Sequence, residues 1–194
     1  MPRFRLKSLE PSEIQMVLDS IPMSSLASMR NRVLCQLAWE CALRPGEAVR
    51  IRNSHINIAE RRLYVPPFKY SPARHVFWET DLLTVLLTTY RQKLKGKGIN
   101  SEWLFPSLHR NAGKPLSYRA LADSFDGYVK LSGLTEDRRP TLHSLRHSRL
   151  NFLRIERKAD LRQLQTIAGH RSSRSTECYT EVSEKEIRVI MRGS

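Results

Sequence analysis

The apolar residues of this chain change their rhythm once, between His55 and Trp78, and that single interruption constrains the fold more than any other feature. Before it, Ile14, Val17, Leu18 and Ile21 recur at helical spacing behind Pro11 and Ser12, and Val33, Leu34, Leu37, Ala38 and Cys41 mark a second helix. Within it, Ile56 and Ile58, then Leu63 to Val65, then Val76 to Trp78 predict three short strands joined by turns. After it, Thr80 or Asp81 caps a long apolar helix carrying Leu82, Leu83, Val85, Leu86, Leu87 and Tyr90, which ends in the loop Lys95-Gly96-Lys97-Gly98. Further helices are expected over about 117–131, about 142–157 and about 161–168, the last capped by Asp160 and closed by Gly169 in left-handed backbone. Ser183-Glu184-Lys185-Glu186 has capping-box spacing and starts a final helix through Ile187, Ile190 and Met191. The expectation is a mainly α fold with one small three-stranded antiparallel sheet.

The second helix stops near Arg44, because Pro45 has no N–H to donate and disfavours helix in the residue before it. Pro45 itself opens a short new helix through Glu47 and Val49. No repeat, low-complexity tract or Pro/Gly/Ser linker divides the 194 residues, so residues 1–194 are read as a single domain. No stretch approaches a membrane span, and the basic start MPRFRLKSLEPSE has no apolar run behind it, so neither a membrane anchor nor a secretory signal is expected. Cys35, Cys41 and Cys178 fall at unpatterned spacing without a CxxC, which suits a reducing cytosol and excludes a zinc ribbon.

Charge narrows the choice of partner. Lys and Arg number 33 against 19 Asp and Glu, a net +14 that calls for a polyanion, nucleic acid first and an acidic membrane surface second. The stretch 138–174 alone holds ten Lys or Arg and two acidic residues, with His143, His147 and His170 among them. An isolated run of this sort is as often a solvated face as a binding one; the whole-chain excess shifts the balance toward phosphate contact. Such contacts position a protein on DNA and carry little sequence information.

Thr141-Leu142-His143-Ser144-Leu145-Arg146-His147 places His143 and Arg146 three apart at a helix start, on one face. Gly169-His170 follows, then Cys178-Tyr179-Thr180, and far upstream Ala42-Leu43-Arg44-Pro45-Gly46-Glu47 puts an arginine at a helix break. In these residues the sequence resembles the tyrosine recombinase (phage integrase) family. Leu43-Arg44-x-x-Glu47 matches the family's first arginine box, His143-x-x-Arg146 with His147 its His-x-x-Arg box, Ala168-Gly169-His170 its Leu-Gly-His box, and Tyr179 its nucleophile box. Each box alone is common; four in the family's order and separations are specific. The resemblance runs from the first helix to the last.

What the resemblance implies is a tyrosine recombinase catalytic-domain fold and DNA strand transfer. Tyr179 would take the 3′ phosphate and release a 5′ hydroxyl, and the phosphotyrosine ester would store the bond energy for rejoining without ATP. His143 is the candidate base; Arg44 and Arg146 would clamp the non-bridging oxygens with guanidinium forks, and His170 would donate to the same phosphate. The family draws its leaving-group acid from a lysine on the strand hairpin, and Lys69 in Pro67-Phe68-Lys69-Tyr70-Ser71 is the candidate here. Family hairpins usually carry Gly or Asn in the turn, where this chain has Ser71-Pro72-Ala73, and Arg74 sits close enough to compete for a phosphate-contacting role. No metal and no cofactor are implied, and the His143/His147 pair lacks a third ligand at useful spacing.

Each residue also has a plainer role. Arg44 could complement a helix C-terminus, Glu47 could orient Arg44, His147 could be a core histidine donating to backbone, and Tyr179 could be a core aromatic. Three functions stay open: a site-specific recombinase working through a Holliday junction, a type IB topoisomerase-like relaxing enzyme, or a silent DNA-binding module. Arg44 comes too early to leave room for the N-terminal core-binding domain of most relatives. The implied partners are double-stranded DNA with inverted-repeat sites, further copies of the chain as dimer or tetramer, and accessory DNA-bending proteins. The expected location is cytoplasmic, on the nucleoid. Ile187, Ile190 and Met191 are equally placed to dock the last helix on a neighbouring subunit or on their own chain.

Overall fold

In the computed structural model residues 8–69, 71–108, 113–134, 139–170 and 184–193 are described. Helix α1 (Pro11–Asp19) begins with proline at its first turn, and Glu13 reaches back to accept the Glu10 N–H at 2.9 Å. Ile14, Val17 and Leu18 form its inner stripe. Helix α2 (Leu26–Glu40) starts at Ser25, whose hydroxyl accepts the Ser28 N–H at 3.0 Å.

From Met29 to Glu40, α2 is buried on every side, although its sequence is not apolar all round. The polar residues are tolerated because each finds a partner. Arg30 donates to the Pro106 carbonyl at 2.9 Å and Asn31 to the Tyr128 hydroxyl at 3.1 Å. Glu40 accepts from the Glu79 and Thr80 N–H groups, both at 3.0 Å. Leu34 and Leu37 are sealed within this helix, and cutting either back to Ala would cost about 2–5 kcal/mol.

The chain then breaks as the prolines demand. Helix α3 (Pro45–Ala48) is a single turn, and a 3-10 turn (Asn53–His55) leads into the sheet. Strands β1 (Ile56–Asn57), β2 (Arg62–Val65) and β3 (Arg74–Phe77) pair antiparallel in chain order. Leu63 faces both Ile56 and Val76, and Val65 faces Arg74, so these residues share the side turned to the core. The β2–β3 connection folds back on itself where Phe68 and Ser71 exchange both backbone hydrogen bonds, at 3.1 and 2.9 Å. That bend puts Lys69 at the tip with φ +53°, two residues earlier than the Ser71-Pro72-Ala73 stretch the sequence singles out. The Phe68–Ser71 exchange fixes the tip before Pro72, which has no N–H to lend to a ladder.

Helix α4 (Asp81–Gly96), capped by the Thr80 hydroxyl at 3.1 Å, packs Leu83, Leu86, Leu87 and Tyr90 against α2. Helix α5 (Tyr118–Leu131) lays Leu121, Phe125 and Val129 on α1 and the surrounding core. Helix α6 (Leu142–Ile155) crosses α2, and α7 (Leu161–Ala168) follows it, ending at Gly169 with φ +61°. Helix α8 (Glu184–Arg192) settles on β3 of its own chain, with Ile187 and Met191 buried while Ile190 stays half-covered. It is held at both ends: Arg149 donates to the Met191 carbonyl at 2.8 Å, and Glu184 lies 2.5 Å from His75. Of the two dockings open to these apolar residues, the structure has the one within the chain.

Among the described residues no helix is long and apolar enough to cross a membrane. The mainly α architecture with one three-stranded antiparallel sheet is the expected one.

Candidate active site

The site is assembled where three chain breaks meet. After α2, Ala42 takes left-handed backbone (φ +49°), a conformation costly for a residue with a Cβ. The twist leaves its carbonyl where Arg146 Nη1 donates to it at 2.6 Å. Arg44 is the residue just before α3, forced extended by Pro45. Two residues past Pro45, the Glu47 carboxylate accepts the Arg44 N–H at 2.9 Å and the Arg44 Nη1 at 3.0 Å. Glu47 thus closes the helix start and orients the arginine.

The third break is the end of α7. Its last carbonyls have no partner inside the helix and carry the negative end of its dipole. Three guanidiniums fill that role: Arg74 Nε donates to the Ile167 carbonyl at 2.8 Å, Arg44 Nη1 to Ala168 at 3.0 Å, and Arg146 Nη2 to Ala168 at 2.7 Å. Gly169 then turns the chain so that exposed His170 lies with its Nε2 3.4 Å from Arg146 Nη2. Arg44 and Arg146 therefore share one peptide oxygen, and His170 adjoins Arg146.

Arg44 is 27% exposed, and its Nε and Nη2 donate to no group among the described residues. It lines a cleft of about 1250 Å³ together with Lys69, His143, Arg50, Lys114 and Tyr118. His143 sits exposed in the first turn of α6, with the Tyr118 ring edge-on at 6.3 Å. Lys69 is exposed on the hairpin tip, its ammonium 5.7 Å from the Phe68 ring centre, and Phe68 in turn rests on Gly46, where a Cβ would come within 3.1 Å of the ring. Arg146 joins this group through the carbonyl it shares with Arg44, and His170 through its contact with Arg146. Tyr179 and Cys178 lie outside the described residues.

Electrostatics set the protonation states. Burial first, and then the Arg44 cation, bring the Arg146 guanidinium down to about 9, with Glu47 opposing; it remains a cation at neutral pH. Burial and then Arg146 hold His143 below its ordinary value. His170 is lowered by burial, then by Arg146, Arg44 and Arg74. Both imidazoles are thus neutral at pH 7, able to accept a proton or to donate one N–H. Burial alone would raise the Glu47 carboxyl, but the hydrogen bonds and charge of Arg74, backed by Arg44, pull it below its ordinary value.

Two residues depart from the sequence reading. Arg74 does not compete for the cleft: it is buried, and its fork is spent on Glu47 at 3.1 and 2.8 Å. The available signal was strand parity, since an arginine on the apolar side of β3 needs a buried carboxylate. His147 is half-buried and meets the Asn151 amide at 3.4 Å rather than backbone, whose carbonyls the helix already uses. Among the described residues no cluster of three or more His, Cys, Asp or Glu is arranged to hold a metal ion.

Comparison with known proteins bears on the family and the fold. The model of the phage integrase family matches residues 7–186. Tyrosine recombinase XerD of Staphylococcus aureus (strain Mu50) is 28% identical over 187 residues, covering 94% of this chain and 60% of that protein. The chain thus spans about 60% of the length of the curated relatives it matches. The crystal structure of XerA recombinase superposes with a TM-score of 0.73 at 21% identity, covering 96% of this chain and 64% of that one. A lambda integrase tetramer bound to a Holliday junction gives a TM-score of 0.65 at 21% identity, covering 94% of this chain and 51% of that one. At those identities the structural likeness bears on the fold, and the family match spans nearly every element described above. This chain belongs to the phage integrase family.

Proposed function

We propose that these 194 residues form the catalytic unit of a site-specific DNA recombinase that cleaves and rejoins duplex DNA through a 3′-phosphotyrosine bond, exchanging strands through a Holliday junction. One observation carries the reading: Arg44 and Arg146 converge on the same Ala168 oxygen, at 3.0 and 2.7 Å, beside a basic cleft that His143 and Lys69 also face. Two rigid guanidiniums, each donating one N–H to the same oxygen, stand close enough to share a tetrahedral phosphate, and a lysine pair could not reproduce the arrangement. Family membership, with relatives that include a XerD recombinase and a lambda integrase on a Holliday junction, supports the same chemistry.

In this reading the Tyr179 hydroxyl oxygen attacks the phosphorus, the P–O5′ bond breaks, and the 3′ phosphate passes to tyrosine. Neutral His143 takes the phenol proton, and Lys69 gives a proton to the departing 5′ oxygen. Arg44 and Arg146 stabilise the charge that builds on the non-bridging oxygens, and His170 adds a hydrogen bond. Rejoining runs the steps backwards with a 5′ hydroxyl from the partner strand. The guanidiniums do the work for which a nuclease would use a cation, so the scheme needs neither metal nor cofactor. The +14 net charge favours DNA as the partner. Strand exchange calls for two or four copies on inverted-repeat sites, aided by DNA-bending proteins on the nucleoid.

The test is a nicked suicide duplex carrying the recombination site, with the reaction resolved on a denaturing gel. A covalent protein–DNA adduct that disappears in Tyr179→Phe is expected. An adduct that survives this substitution would defeat the proposal, and relaxation of any supercoiled plasmid without site preference or strand exchange would assign the chemistry to a topoisomerase instead.

A further inference from the structure

Arg74 lies in none of the recognised motifs, yet its side chain is only 4% exposed. It opens β3 on the same side as buried Val76, so the pleat turns it inward. Nη1 and Nη2 fork onto the two Glu47 oxygens at 3.1 and 2.8 Å, and Nε donates to the Ile167 carbonyl at 2.8 Å. A Cβ at position 169 would stand 2.7 Å from Arg74 Nη1. The glycine that turns the chain toward His170 therefore also makes room for this guanidinium.

We propose that Arg74 is a positioning residue for the phosphate-binding arginines: it ties Glu47, and through Glu47 the Arg44 side chain, to the end of α7, and so sets the spacing of Arg44, Arg146 and His170. Its rate predictions rest on the recombinase reading; its effect on the neighbouring imidazole does not.

The physics is a competition for one carboxylate. Glu47 has Arg44 Nη1 at 3.0 Å and Arg146 Nη1 at 4.0 Å, so three guanidiniums surround a single negative charge. Arg74, which does not line the cleft, takes both oxygens. The Arg44 side chain is left with one short contact to Glu47, through Nη1, and its Nε and Nη2 donate to no group among the described residues. Without Arg74, Glu47 would pair fully with Arg44 or close the gap to Arg146, neutralising the cations a phosphate needs. A lysine at 74 retains the charge but cannot fork onto two oxygens while reaching the Ile167 carbonyl. The Arg74 cation also contributes to holding His170 low.

Arg74→Lys and Arg74→Met in the full chain test the inference through three readouts: the adduct rate at saturating suicide duplex, the Kd for that duplex over a salt series, and the His170 titration followed by NMR without DNA. Both variants should form adduct about 100-fold more slowly at saturation, the scale of a 1 Å misplacement. Kd should stay within roughly twofold and the salt slope unchanged, because the side chain does not reach the cleft. The His170 pKa should rise in Arg74→Met, where one repelling cation is gone and Glu47 is freed to offset the other two. A near-normal rate in Arg74→Lys overturns the proposal. A salt slope reduced by about one with the saturated rate intact also overturns it, making Arg74 a direct phosphate ligand. If the unaltered chain forms no adduct, the recombinase reading fails and the titration decides: an unmoved His170 in Arg74→Met sinks the positioning role. Should Arg74→Met not fold, Arg74→Lys carries the rate and Kd arms, and its His170 titration, displaced by release of Glu47 from the fork, replaces that of the methionine variant.

Discussion

Two buried arginines three residues apart on α6, Arg146 and Arg149, belong to networks of opposite design. Around Arg146 one carboxylate, Glu47, serves three guanidiniums, and the surplus donors go to the carbonyls of Ala42, Ile167 and Ala168. Around Arg149 the charges nearly balance. Glu79 lies 3.6 Å from Arg149 and 2.5 Å from Arg157, buried Glu40 adds a second negative charge, and Arg149 spreads over the Trp39 and Phe152 rings. Burial lowers both arginines' pKa, but after burial the largest influence on Arg146 is a cation and on Arg149 a carboxylate. A surplus of like charge in a low-dielectric place costs stability, and it is relieved when an anion arrives. The balanced network is architecture; the unbalanced one keeps a surplus of positive charge beside the cleft.

The comparison can be broken in several ways. The largest effect is expected from Arg146→Lys, which should slow adduct formation by about 10²–10³-fold, or about 2.7–4 kcal/mol, while leaving urea-unfolding stability within about 1 kcal/mol. Arg149→Ala should do the reverse. Removing one partner from a buried pair should cost about 3 kcal/mol in the same unfolding experiment, with the rate per folded molecule preserved. Equal rate losses in the two variants would erase the distinction.

A smaller effect sharpens it. Inorganic phosphate at tenfold its Kd should stabilise the chain by about 1.4 kcal/mol over chloride at matched ionic strength. Thermal denaturation should show that gain in Arg149→Ala and not in Arg44→Ala.

The smallest effect is on pH. His143 and His170 are held below the ordinary 6.5 by burial first and Arg146 next, so the unfolded chain binds their protons before the folded chain does. Their contribution to stability is complete above 6.5 and is lost as pH falls through the depressed folded values. Unfolding curves taken between about pH 5 and 7.5 should show this decline, and bound phosphate should shrink it, because stabilising the charged imidazoles raises their folded values back toward 6.5.

Local rules made much of the fold legible. Pro45 ends one helix and starts another, Thr80 caps α4, and Gly169 adopts the left-handed turn, because each outcome depends on a few adjacent residues. Within the site, a three-residue spacing at a helix start put His143 and Arg146 on one face, whereas Arg44 and His170 were singled out by the resemblance to the family's motifs. Tertiary relations were not visible. Nothing adjacent to Arg74 says that β3 passes beside the end of α7, so its pairing with Glu47 had only strand parity as a hint. The hairpin tip at Lys69 depends on the Phe68–Ser71 exchange, which a cluster of Ser, Pro and Ala downstream obscured. Docking of α8 on its own chain is likewise a matter of which surface lies nearest, a question periodicity does not address.

The Ala168 oxygen shared by Arg44 and Arg146 has a further consequence. It acts as a jig, holding the two guanidiniums at a set gap. Because it belongs to the main chain, no change of side chain at that position removes it, and alanine scanning passes over it in silence. An ester link in place of the 168–169 peptide bond weakens that acceptor, at the cost of the Gly169 N–H that donates to the Thr166 carbonyl, and would reveal how much of the arginines' readiness depends on it.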